Sequence, residues 1–146
     1  MANVTRTVVV QGNLADVYRL WTEFENFAMF MRHIRSVRRT GPDATHWVME
    51  GPLGTRIEWD ARTTVLEPNS RVAWQSTGGD IEQSGSVIFD EVKPAMIRIT
   101  ATIDFSPPGG ELGERLVEFF GDLPARVQED LDNFKAYARS QLVRSA

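Results

Sequence analysis

Thr55-Arg56-Ile57-Glu58-Trp59-Asp60-Ala61-Arg62-Thr63-Thr64-Val65-Leu66 alternates large or small apolar residues with charges. Ile57, Trp59 and Ala61 share one phase; Arg56, Glu58, Asp60 and Arg62 share the other. A period of two is that of a strand with one dry face. The same phase continues on both sides: Trp47 and Met49 before it, then Val72 and Trp74, Val87 and Phe89, and Ile97, Ile99, Ala101, Ile103 and Phe105 after it. The segments between carry turn chemistry: Gly41-Pro42-Asp43, Gly51-Pro52-Leu53-Gly54, Glu67-Pro68-Asn69-Ser70, Gly78-Gly79-Asp80 and Lys93-Pro94. Such short connections imply sequential antiparallel pairing. Strands are expected over 34–40, 45–50, 55–66, 71–76, 81–91 and 96–105, following a first strand over 4–11.

Between the first two strands, Asn13 is placed to cap a helix beginning at Leu14, because its side chain can accept from a free N–H of the first turn. Leu14, Val17, Leu20, Trp21 and Phe24 form that helix's apolar side, and a second short helical piece runs through Phe27, Phe30 and Met31. After Ser106-Pro107-Pro108-Gly109-Gly110, the residues Leu112, Leu116, Phe119, Phe120, Leu123, Val127, Leu131, Phe134 and Ala138 recur at helical spacing over about 111–139. Gly121 and Pro124 interrupt this helix, with Asp122 placed to cap a restart. A curved sheet gripping one long helix leaves room for a cavity between them.

The chain has 146 residues, which suits one domain over 1–146 with a core that needs no staples. There are no cysteines, which excludes disulfides, thiolate nucleophiles and cysteine-held metals, and His33 and His46 are too few for a His-rich metal site. With 20 acidic against 16 basic residues the protein is mildly acidic, which argues against nucleic acid as a partner. No run approaches the ~18 apolar residues of a membrane span, and the first residues lack a secretory layout, so a cytoplasmic location is expected. No cofactor is implied, and an exposed first or last strand offers a way to pair into a homodimer.

The order strand, two short helices, six strands and a long closing helix resembles the α+β helix-grip fold of the START-like (SRPBCC) superfamily, a sheet of about seven strands wrapped on a C-terminal helix. Within it the chain is similar to the polyketide cyclase/dehydrase and coenzyme-Q-binding families. The stretches that carry this are Asp16-Val17-Tyr18-Arg19-Leu20-Trp21-Thr22-Glu23-Phe24-Glu25-Asn26-Phe27 followed by Phe30-Met31, Ile57-Glu58-Trp59-Asp60-Ala61, Gly85-Ser86-Val87-Ile88-Phe89 and Asp130-Leu131-Asp132-Asn133-Phe134-Lys135. The resemblance implies a cavity for a lipid, quinone or polyketide-like aromatic, or cyclase/dehydratase chemistry in that cavity. The aromatase/cyclase members use an inward arginine and a tyrosine; with Trp59 aligned on their central strand, Thr63 falls near the first place and His33 or Ile34 near the second, so neither catalytic group is present.

On the residues themselves, Trp21, Phe24, Phe27, Phe30, Trp47, Trp59, Trp74 and Phe89 either fill a core or line a cavity, with Ala61 and Gly85 leaving room beside them. Phe27, Phe30 and Phe120 are expected to form a movable lid. Thr55, Thr63, Ser76 and Gln83 are the inward polar groups able to orient a carbonyl or hydroxyl, and no inward carboxylate stands out. His33 and Gln83 are the catalytic candidates. Arg32-His33-Ile34-Arg35-Ser36-Val37-Arg38-Arg39 is the one dense basic stretch, a solvated surface or a face for an acidic membrane or partner. Gly-x-Ser-x-Gly, phosphate-loop and His-Glu-x-x-His patterns are absent.

Overall fold

A computed structural model describes residues 2–106, 109–110, 113–114 and 123–144. The strands are β1 (Ala2–Gln11), β2 (Ile34–Arg39), β3 (Ala44–Glu50), β4 (Arg56–Glu67), β5 (Arg71–Gly79), β6 (Glu82–Lys93) and β7 (Met96–Ser106). Helix α1 spans Leu14–Thr22, a 3₁₀ turn spans Phe24–Met29, and α2 spans Leu123–Arg144. The seven strands form one antiparallel sheet in the order β1-β7-β6-β5-β4-β3-β2. Strands β2 to β7 are a meander, as the short turns require, and β1 returns to pair with β7, Val4 opposite Ile103 and Val10 opposite Ile97.

Asn13 caps α1 as its position implies, Oδ1 accepting from the Ala15 N–H at 2.9 Å and the Asp16 N–H at 3.4 Å. That start sets Val17, Leu20 and Trp21 against the sheet. Helix α2 turns Val127, Leu131, Phe134 and Ala138 inward at steps of four, three and four, all buried. The expected interruption at Gly121 and its cap Asp122 lie outside the described residues, as does Phe120.

Two register shifts in β4 against β5, at Asp60/Ala61 and at Thr63/Val65, put extra twist into this part of the sheet. Gly79, opposite Trp59 and next to the first of them, has φ +114°, and a Cβ there would stand 2.5 Å from the Trp59 Cα. Any side chain would push β5 off β4, so the close approach demands glycine.

The outer face carries paired charges. His46 bridges Asp60 Oδ1 through Nδ1 at 2.8 Å and Glu58 Oε1 through Nε2 at 2.9 Å, and Arg56 pairs with Glu58 at 3.1 Å. The hydrogen bond to Glu58, then that to Asp60, holds the His46 pKa above the ordinary imidazole value.

The Tyr18 hydroxyl is buried between α1 and the sheet, its ring edge-on to Phe89 at 5.2 Å, with no hydrogen-bond partner among the described residues. Burial, then the Glu67 charge, push its pKa up. Since an unsatisfied buried hydroxyl is a cost, Tyr18→Phe is expected to stabilise the protein by up to about 1 kcal/mol, read as a higher urea midpoint. A comparable loss would mean that water satisfies the hydroxyl.

Candidate functional site

The buried apolar side chains fall into two groups, a main core between both helices and the sheet, and a smaller one of Met49, Ile57, Trp59, Ala61 and Ile81 under the β3–β4–β5 end. Between them lies a cavity of about 180 Å³, lined from both groups. An apolar cavity of roughly 150 Å³ holds one benzene, and drug-sized pockets start near 300 Å³, so this one fits a body of one or two rings.

Its walls are aromatic. Trp47 and Trp59, cross-strand partners on β3 and β4, stack at 5.8 Å with their planes 7° apart. Trp47 Nε1 donates to the buried Thr45 Oγ1 at 2.8 Å, leaving its ring edge satisfied. Trp74 on β5 donates through Nε1 to Gln83 Oε1 at 2.8 Å, and the Gln83 backbone N–H donates to Ser76 Oγ at 2.9 Å. The room expected at Gly85 is occupied, because Gly85 faces Trp74 across the strands and a Cβ there would lie 2.7 Å from Trp74 Cζ2. Gly85 thus seats the indole instead of enlarging the cavity.

Phe27, Trp47, Trp59, Thr63, Trp74 and Gln83 come together in the lining, joined by Trp21, Phe24, Thr45 and Met31. Phe30, Phe89 and Ser76 do not reach it. Phe30 closes the 3₁₀ turn against α2, at 5.3 Å from Phe134 and 5.2 Å from Tyr137. Phe89 lies farther along β6, where α1 covers the sheet, beside Tyr18 and Trp21. Ser76 is spent on the β5–β6 connection. Thr55 lies outside the lining as well.

The expectation of no inward carboxylate is overturned. Asp130 of α2 lines the cavity together with Arg126, one turn earlier on the same helix, and His33 from the turn before β2. Arg126 Nη1 donates to His33 Nε2 at 2.8 Å, so that nitrogen carries the lone pair and His33 is neutral. Burial, then Arg126 and Arg32, lower the His33 pKa. Burial, then the neighbouring Glu129, raise the Asp130 carboxyl to about 7, against the opposing pull of Arg126 and Arg32. The signal was in the helix pattern: Val127 and Leu131 are buried, and residues 126 and 130 sit one position before each, on the flank of the same face.

The basic stretch is largely neutralised. Arg32 meets Glu129 at 3.6 Å, Arg35 meets Glu50 at 2.9 Å, and Arg39 meets Glu25 at 3.7 Å and lies over the Phe24 ring at 5.6 Å. Arg62, which points outward in the alternation, pairs its Nε with Asp43 Oδ2 at 2.9 Å while the residue borders the cavity. Among the described residues no group of three or more His, Cys, Asp or Glu could hold a metal, and no helix is long and apolar enough to cross a membrane.

A seven-stranded curled sheet closed by a carboxy-terminal helix, with short helices after the first strand, is the START-like helix-grip fold. The chain belongs to the polyketide cyclase / dehydrase and lipid transport family, whose model matches residues 10–131. It is 30% identical, over 94% of its length and 89% of that protein, to an uncharacterised 17.2 kDa protein of the melC2–rnhH intergenic region of Streptomyces lincolnensis. Among solved structures, a protein of Thermus thermophilus superposes with a TM-score of 0.80 at 16% identity, covering 96% of this chain and 99% of that one. The Zhui aromatase/cyclase of a Streptomyces species gives 0.76 at 16% identity over 94% and 93% of the two chains. A START superfamily protein of Mycobacterium smegmatis gives 0.73 at 12% identity over 99% of each. At these identities the structural likeness is one of fold.

Proposed function

We propose that the protein binds a small apolar or amphipathic molecule of one or two rings in the cavity between the sheet and α2. The observation that carries this reading is a largely apolar cavity walled by indole and phenyl rings, into which α2 and the turn before β2 bring a cluster of three ionisable side chains, His33, Arg126 and Asp130. Apolar contact supplies the affinity, and the polar side sets which end of the ligand lies there. Trp47, Trp59 and Trp74 are the wall residues, held at fixed angles by the stack and by the Thr45 and Gln83 acceptors. Thr63 and Gln83 add orientation, although the Gln83 carbonyl is already committed to Trp74. A lipid, a quinone or a polyketide-like aromatic remains the chemical range, with the cavity volume favouring the smaller rings.

The test is extraction of any bound passenger under native mass spectrometry, followed by titration of the four tryptophans' emission with that compound or with a two-ring aromatic. Trp74→Ala is expected to weaken binding roughly tenfold, the worth of about 55 Å² of apolar contact at ~25 cal/mol per Å². Unchanged affinity in a folded variant would remove Trp74 from the site.

A second reading, a cyclase or dehydratase, is favoured by Asp130. A carboxyl that keeps its proton near neutral pH inside an apolar cavity is suited to general acid work. It would give its proton to a departing hydroxyl, which leaves as water while solvent takes the adjacent C–H proton. Turnover abolished in Asp130→Asn, with binding retained, is the result that would establish it.

A further inference from the structure

We infer that Arg126 and Asp130 together form a seat for an ionised oxygen, so that the cavity selects a ring-sized aromatic carrying a carboxylate or a phenolate. This rests on the cavity reading above and adds the ligand's charge to it. Arg126 and Asp130 stand at i and i+4 on α2, one turn apart on one face, and both border the cavity. In the order Arg then Asp, this is the less favourable orientation for a helical ion pair, and the carboxyl forms no hydrogen bond with a described residue. Arg126 instead directs one N–H to His33, which holds the guanidinium beside the aromatic walls. An oxygen lying between the two residues can accept from the guanidinium and from a protonated carboxyl at once. Both bonds are charge-assisted, the stronger kind.

The charges around this seat give the proposal its pH dependence. Facing Asp130 are Glu129 and Arg126 on its own helix and Arg32 from the turn before β2, with His33 bonded to Arg126. Arg32 and Glu129 face one another at 3.6 Å, and His33 is held neutral by burial and by Arg126. The group that changes between pH 6 and pH 8.5 is therefore Asp130, whose carboxyl sits at about 7. An anion beside it is favoured while it is protonated and repelled once it is not. Binding at the higher pH must take a proton from solution.

The experiment is calorimetric titration with 2-naphthoate, methyl 2-naphthoate and 2-naphthol at pH 6 and pH 8.5, in buffers of different ionisation enthalpy. The expected result is naphthoate bound about tenfold more tightly at pH 6 than at pH 8.5, with proton uptake at the higher pH, and an ester whose affinity ignores pH. Naphthol distinguishes the oxygen class, since binding as naphtholate shifts its absorbance to the red. Asp130→Asn should keep naphthoate binding and lose its pH dependence. Arg126→Gln should abolish the preference for acid over ester, while Arg126→Lys restores part of it. Equal, pH-independent binding of acid and ester would overturn the seat and leave the cavity standing; failure of all three probes with unchanged tryptophan emission would overturn both.

Discussion

Asp130→Asn is expected to stabilise the protein by about 2 kcal/mol at pH 8 and by little at pH 4, read from urea unfolding at the two pH values. The carboxyl is raised from 3.8 to about 7 in the folded protein, with burial the main cause. The folded state therefore keeps a proton that the unfolded chain has lost, and unfolding between those values releases it. Stability contributed at this site falls as pH rises from about 4 to about 7 and stays at its lower level above. Complete isolation from water would make the cost roughly 4 kcal/mol. Asp130 is mostly but not fully buried, with one flank on the cavity, and screening from that side brings the figure to about half. Asparagine has nearly the same shape and no charge to desolvate. A variant no more stable than the parent at pH 8 would show that the carboxyl ionises freely and would remove its role as a proton donor.

Such a cost in an ordinary helix position has a simple alternative in any small apolar residue. A costly carboxyl at a cavity wall, one turn from an arginine that is bonded to a histidine, is the arrangement on which the proposed site rests.

That position was only partly legible in the sequence, for a physical reason. Strand alternation is strict, so Ile57, Trp59, Ala61, Val87, Ile97 and Ile99 could be assigned to the dry face from their period alone, and all are buried. The turn residues then fixed the meander order, and the apolar stripe of α2 gave its buried face. A helix flank is a graded surface: residues 126 and 130 lie beside the buried stripe, and whether they meet water or a cavity depends on what the sheet brings opposite. Only the turn that carries His33 to the same place makes them a cluster, and residues 93 apart in the chain cannot be paired by pattern. The aromatic rings show the same limit. Phe27 and Phe30 share one short segment, yet the 3₁₀ turn sends Phe27 to the cavity and Phe30 to Phe134. Likewise Phe89 has the correct phase on β6 but lies under α1, beyond the reach of the cavity.

The second large effect separates filled core from cavity wall. Phe134 is fully buried, with Trp21 at 4.8 Å and Phe30 at 5.3 Å around it, and it does not border the cavity. Phe134→Ala removes a ring that has partners on all sides, and the close-packed surroundings relax only in part, so a loss of about 4 kcal/mol is expected. Trp59 is a larger ring and nearly as buried, at 4% exposure, but it faces the empty volume on one side and stacks on Trp47 on another. The side toward the cavity already lacks partner atoms, so fewer dispersion contacts are there to be lost. Trp59→Ala is therefore expected to cost less, about 2–3 kcal/mol, despite the greater volume removed. Urea midpoints with unchanged slopes compare the two directly. If Trp59→Ala costs as much as Phe134→Ala or more, the space beside Trp59 is closed in solution, and the ligand reading loses its foundation; the expected order would mean that the ring stands at the edge of a volume the fold keeps open.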